Sequence, residues 1–193
     1  MKKKRKIIVY IATSADGYIA RSDGGVEWLD RPRPAGNHGM GSFLRSIDTI
    51  LWGRKTWDLA LRMGWKGGGF GLGPGVRNYV FTHRPRESKI PGVEFVNEPV
   101  RRFAKRLRGR PGRDIWMMGG AGLIASFLDA GEIDEFIIHV VPVLIGKGIP
   151  LIRPRRRLVP VKLRSVRRFP DGVVRMHYEV GRSRANPAPG SSR

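Results

Sequence analysis

Short, continuous apolar runs alternate along this chain with stretches in which apolar residues recur every third or fourth position. That is the rhythm of strands alternating with helices. Lys6 to Thr13 is apolar and rich in β-branched residues, as is Thr49 to Trp52; such runs, lacking a polar face, predict strands buried on both sides. Further strands are predicted at Asn78–Thr82, Val93–Val96, Asp114–Met118 and Phe136–Val143. Helices are predicted at Gly39–Ile47, Lys55–Arg62, Pro99–Leu107 and from Leu123 through Leu128. The third has Val100, Phe103, Ala104 and Leu107 on one face. Leu158–Phe169 and Val173–Val180, joined by Pro170-Asp-Gly172, predict a closing antiparallel hairpin. Loops fill Ser14 to Asn37, the glycine-rich Gly64 to Gly75, and Gly146-Lys-Gly148. The pattern predicts an α/β fold of three layers: a mixed, mostly parallel sheet with helices on both faces. Ligands of such sheets bind at the carboxyl ends of the strands.

Composition narrows the class. With 193 residues, 40% of them hydrophobic, the chain suits one domain with a real core. Residues 1–180 are read as that domain, and the Ser/Pro/Gly/Arg-rich 181–193 as a flexible tail. No apolar run nears the roughly 20 residues of a membrane span. The basic N-terminus leads through a short apolar run into Thr-Ser-Ala-Asp-Gly with no signal-peptidase site, so a cytoplasmic protein is expected. The absence of cysteine excludes disulfides, zinc thiolate sites and cysteine nucleophiles. His38, His139 and His177 show no metal-ligand spacing, and no metal is expected.

Charge opens a second reading. Lys and Arg number 37 against 16 Asp and Glu, a net +21, concentrated at Lys2–Lys6, Arg101–Arg113 and from Arg153 onward. One reading is a nucleic-acid-associated basic protein. No aromatic residues interleave the basic ones in a binding pattern, so only non-specific attraction to polyanions is expected.

Three strand-to-helix junctions carry candidate chemistry. Gly53-Arg54-Lys55-Thr56 follows a strand and opens a helix, whose free N–H groups and positive dipole end suit phosphate. Thr82-His83-Arg84 ends the next strand and can grip a phosphate monoester, such as the 2′-phosphate that separates NADPH from NADH. Gly119-Gly120-Ala121-Gly122-Leu123 lets the backbone approach a pyrophosphate closely, although its spacing is not the Rossmann fingerprint.

Read in order, Ser14–Ala20, Val26–Leu29, Leu51–Trp57, Thr82–Arg86, Met117–Ala121, Ile133–Glu135 and Val141–Gly148 resemble the dihydrofolate reductase-like superfamily. The branch they most resemble holds the C-terminal reductase domain of riboflavin biosynthesis enzymes and its single-domain relatives. The resemblance runs from about Lys6 to Val180. It implies a dihydrofolate reductase-like fold, a homodimer, and an NADPH-dependent reductase acting on a pteridine- or pyrimidine-type heterocycle. Gly53, Arg54, Lys55 and Thr56 are implied to bind phosphates of NADPH, with Thr82, His83 and Arg84 near the 2′-phosphate. Gly119 to Leu123 are implied to cradle the pyrophosphate, with the glycine pair often joined by a cis peptide. Ala12, Ile19 and Ala20 line the nicotinamide side in this reading, and Trp28 covers the substrate on a mobile loop.

Hydride transfer to a polarised C=N or C=C bond needs a proton delivered alongside. Asp16, in Ser-x-Asp-Gly, is the expected catalytic and substrate-binding acid. Authentic dihydrofolate reductases place an acid on the helix after the substrate loop, but Gly39–Ile47 contains none, which speaks against dihydrofolate itself. Asp48 is expected to cap or turn the chain after that helix, and Asp134, Glu135 and Pro142 to be structural. A relative that binds NADPH without catalysis is the remaining alternative.

Overall fold

A computed structural model of the protein describes residues 4–31, 37–64, 75–85 and 87–181. The basic stretch 1–3, most of the glycine-rich loop with Trp65, Arg86 and all but the first residue of the predicted tail lie outside the described residues. The strands are β1 (Ile7–Ser14), β2 (Tyr18–Arg21), β3 (Ile47–Gly53), β4 (Arg77–Phe81), β5 (Val93–Val96), β6 (Asp114–Gly119), β7 (Glu135–Val141), β8 (Gly148–Pro150), β9 (Val161–Arg168) and β10 (Val174–Val180). The helices are α1 (Met40–Ser46), α2 (Arg54–Arg62), α3 (Val100–Arg108) and α4 (Ala121–Asp129).

Eight strands form one sheet in the order β5-β4-β3-β6-β1-β7-β10-β9. From β5 to β7 every pairing is parallel, and β10 runs antiparallel to both of its neighbours. The predicted mixed sheet is therefore present. In the centre, side chains alternate between two cores, as the two-residue strand period requires. Ile7, Val9, Leu51, Ile115 and Met117 point to the layer holding Phe103, Leu107, Ile124 and Phe127 of α3 and α4. Ile8, Tyr10, Ile50, Trp52 and Trp116 point to the layer holding Phe43 of α1 and Trp57 of α2. Burial on both faces is why these strands read as unbroken apolar runs.

The structure adds two short strands within regions read as loops: β2 and β8 pair antiparallel as a separate ribbon. They are too short, and too interrupted by Gly148 and Pro150, to show a period. A side chain at Gly148 would place its Cβ 2.2 Å from the Ala20 carbonyl oxygen, so this pairing requires glycine. The first strand of the closing hairpin, β9, starts at Val161 rather than Leu158, and β7 ends at Val141 rather than Val143.

Asp48 departs from expectation. It lies within β3, and its carboxylate receives the Arg5 guanidinium and, at 2.8 Å, the Arg113 N–H. Arg5, counted in the sequence among the basic N-terminal residues, is 5% exposed and also donates to Thr49 Oγ1 and to the Arg113 carbonyl. Asp134 and Glu135 are structural, as expected: Asp134 accepts the Ile7 N–H at 2.8 Å and pairs with Arg108 at 2.7 Å, and Glu135 takes Lys6 and His177.

Two tests follow from this packing. Asp48→Asn keeps volume but leaves the Arg5 charge buried without its counter-ion. The expected loss is about 3 kcal/mol, read as a lowered urea midpoint with unchanged slope. The second concerns His139, whose pKa burial lowers from 6.5 to about 4. The folded imidazole stays neutral while the unfolded chain binds a proton below its ordinary value. Stability from this group therefore falls as pH drops from 6.5 toward 4, by about 3 kcal/mol in all, and levels off below. His139→Gln is expected to flatten the acid limb of stability by that amount in urea titrations at pH 7 and pH 4.

Candidate functional site

The carboxyl ends of β3 and β6 come together at glycines. A Cβ on Gly53 would lie 3.3 Å from the Gly120 N and 3.4 Å from the Gly119 carbonyl oxygen, and one on Gly120 would lie 2.9 Å from Thr56 Oγ1. Gly119 has φ +105°, a left-handed conformation that favours glycine, and the Gly119–Gly120 peptide is cis. From this meeting point α2 and α4 both start. Neither has a side-chain cap on its N-cap residue, Gly53 or Gly120. The first N–H groups of a helix have no acceptor within it. Two positive helix ends, of nine residues each, thus open side by side.

Both open into one cleft of about 1690 Å3. That exceeds the roughly 300–1,000 Å3 of a single drug-sized ligand site, leaving room for two ligands. Gly53, Arg54, Lys55 and Thr56 line it, as do Gly120, Ala121, Gly122 and Leu123, while Gly119 sits just behind the lining. Thr82, His83 and Arg84 line the same end, where the Arg84 N–H donates to Thr82 Oγ1. Ala12 of β1 and Ile19 and Ala20 of the β2–β8 ribbon line it too. The three junctions, separated by up to 70 residues in sequence, share one wall. Arg54 differs in detail. Both Asp58 carboxylate oxygens take its Nε at 2.8 Å and its guanidinium lies over the Phe95 ring, so its charge is already half engaged. Ser126 of α4 and Arg153 and Arg155 also border this end; along the chain the stretch from Arg153 stands out only as basic, with nothing local tying it to these junctions.

Asp16 and Trp28 are not part of the cleft lining. The Asp16 carboxylate accepts the Gly146 N–H at 2.7 Å and the Ile145 N–H at 3.2 Å, tying the loop before β8 to the turn after β1. The Ser14 hydroxyl, then these amides, hold its carboxyl below the usual range. This placement is that of a loop brace, not of an acid facing a ligand. Trp28 is 8% exposed and packs with Val141 and Val173 in a small core under the cleft, not on a free cover.

The far end of the cleft holds polar groups that sequence reasoning passed over. Tyr10, His38, His139, Asp171 and Arg31 all line it. The Tyr10 hydroxyl lies 3.3 Å from His139 Nε2 and donates to the His38 carbonyl at 3.3 Å. Burial pushes the Tyr10 pKa up to about 12, so both Tyr10 and His139 stay neutral here. His38 Nε2 lies 2.9 Å from Asp171 Oδ2. These residues come from β1, the segment before α1, β7 and the β9–β10 turn, so no spacing could link them.

Comparison with known proteins identifies the family and the fold. Residues 5–175 match the RibD C-terminal domain family. The uncharacterized protein YwjB of Bacillus subtilis (strain 168) is 36% identical over 180 residues, 91% of this chain and 98% of that protein. A putative riboflavin biosynthesis protein from Shewanella sp. PV-4 has a TM-score of 0.80 at 25% identity, over 92% of this chain and 99% of that one. A dihydrofolate reductase from Enterococcus faecalis, complexed with NADP(H), has a TM-score of 0.63 at 14% identity, over 91% and 96% of the two chains, a likeness of fold. With nine-tenths of its length matched, the chain belongs to the RibD C-terminal domain family and has the dihydrofolate reductase-like fold.

Proposed function

We propose that the protein is an NADPH-dependent reductase of a pteridine- or pyrimidine-type heterocycle. The observation that carries this reading is the pair of uncapped helix ends, α2 and α4, opening from a glycine-only contact into one long cleft. Backbone N–H groups and positive helix ends are what a pyrophosphate needs, and a side chain at Gly120 would fill the approach. Lys55 and Thr56 add a cation and a hydroxyl, while Thr82, His83 and Arg84 supply donors for a 2′-phosphate. Ala12, Ile19 and Ala20 offer the small, apolar wall that a nicotinamide ring needs. Bound there, the dinucleotide supplies hydride; the protein's part is to orient it and exclude water. The relative from Enterococcus faecalis, crystallised with NADP(H), supports the cofactor, and the family and the Shewanella relative support the heterocycle. We place the protein in the cytoplasm and as a homodimer; among the described residues no helix is long and apolar enough to cross a membrane.

NADPH at a hundred times its Kd is expected to stabilise the fold by about 2.7 kcal/mol, a thermal shift of about 5 to 10 °C. NADH should give a smaller shift. The variant Gly122→Asp separates the site from the fold. Apart from its chain neighbours and its own helix backbone, no atom stands within 4 Å of its new Cβ, and an acid in a helix's first turn stabilises the helix. The same carboxylate repels phosphate. Gly122→Asp should therefore keep or raise the melting temperature of the free protein and weaken NADPH at least tenfold. Equal NADPH affinity in variant and wild type would contradict the cofactor placement.

A further inference from the structure

The tract Arg153-Pro-Arg-Arg-Arg157, which stands out in the sequence only by its charge, is fixed along α4. At its start the Arg153 N–H donates to the carbonyl of Ala121, the first residue of that helix, at 3.1 Å. Further on, Arg155 Nη1 and Arg157 Nε reach the two carboxylate oxygens of Asp129, the last residue of the helix, at 2.6 and 2.7 Å. Arg157 Nη1 also donates to the Arg153 carbonyl at 3.0 Å. Leu151 and Ile152, just before the tract, pack on the core, and Pro154 disfavours a helical backbone at Arg153. Both main-chain polar groups of Arg153 are thus engaged, and the residue is held beside the first turn of α4.

The arginines of the tract differ in what they do. Arg155 and Arg157 are committed to Asp129. Arg153 is exposed and lines the cleft, and its guanidinium has no hydrogen-bond or ion-pair partner among the described residues. A guanidinium presents its donors in a planar fork that matches phosphate oxygens. The α4 junction has no such group of its own. Gly120-Ala121-Gly122-Leu123 carries no charged side chain, whereas the α2 junction carries Arg54 and Lys55. Nor do acids compete for Arg153. Of those lining the cleft, Asp23 takes the Gly25 N–H, Asp58 takes Arg54, Glu98 takes Arg106, and Asp171 faces His38.

We propose that Arg153 is the cation that clamps the cofactor's pyrophosphate onto the N-terminus of α4. The inference rests on the cofactor reading above and adds to that site a residue from a distant part of the chain. Position favours the pyrophosphate over the 2′-phosphate. Arg153 is hydrogen-bonded to Ala121 itself, whereas Thr82–Arg84 follow β4, two strands from β6 and about 10 Å away across the sheet. NADPH and NADH share the pyrophosphate. Arg153 therefore sets affinity for either dinucleotide, and discrimination between them is left to Thr82–Arg84.

The test is calorimetric titration of NADPH and of NADH into wild type, Arg153→Ala and Lys162→Ala. The last variant removes the same charge from β9, outside the cleft. Arg153→Ala should keep the melting temperature of the free protein and weaken both nucleotides by a similar factor, about tenfold or more. Lys162→Ala should change neither affinity by more than about twofold. Equal affinity in Arg153→Ala and wild type, an equal loss in Lys162→Ala, or a loss confined to NADPH overturns the assignment. If NADH binds too weakly to titrate, inorganic pyrophosphate takes its place. If wild type binds neither nucleotide, the cofactor reading fails instead, and inorganic pyrophosphate alone decides the clamp. A loss in Arg153→Ala but not in Lys162→Ala then sustains it, and equal affinity or no binding overturns it.

Discussion

The close approach of β3 and β6 is the constraint on which the site depends. Gly53, Gly119 and Gly120 bring two parallel strand ends so near that side-chain atoms on Gly53 or Gly120 would press on the neighbouring backbone or on Thr56. That contact sets the starting points of α2 and α4 and therefore the separation of two positive helix ends. Both strands run parallel and are buried on two faces, and that burial explains the apolar runs Ile7–Ala12 and Ile50–Trp52. Fold and site thus share one cause: a sheet covered on both sides, with its strand ends pinned by glycine.

Legibility in the sequence follows how local each signal is. A strand, one or two glycines and a helix lie within about ten residues, so Gly53–Thr56 and Gly119–Leu123 could be read directly, and both line the cleft save Gly119. The helical spacing of Val100, Phe103, Ala104 and Leu107 was legible for the same reason, and all four pack on the core. The other end of the cleft was not. His38, His139, Tyr10 and Asp171 are brought together by tertiary structure alone, and Pro170-Asp-Gly172 carries the ordinary signature of a turn. Asp16 drew attention through the Ser-x-Asp-Gly resemblance, yet its carboxylate is spent on the amides of Ile145 and Gly146. Strands β2 and β8 escaped because three or four residues cannot display a period.

The basic composition also looks different in three dimensions. Arg5 and Arg108 are internal struts: Arg5 binds Asp48 and main-chain carbonyls, and Arg108 binds Asp134 and the carbonyls of Arg5 and Glu132. Others, such as Arg155 and Arg157 on Asp129, are paired at the surface. Part of the +21 charge is therefore tied into the scaffold, while Arg153 lines the cleft into which α2 and α4 open. A charge count along the sequence cannot separate struts from binding surface.

The central claim is that the two adjoining helix ends hold a dinucleotide's phosphates. Amide 1H–15N chemical-shift mapping at saturating NADPH tests it most directly, because it reads the N–H groups themselves. The account predicts the largest perturbations at Lys55, Thr56, Ala121 and Gly122. Binding of NADPH that leaves those four amides unmoved and perturbs a different surface would contradict it.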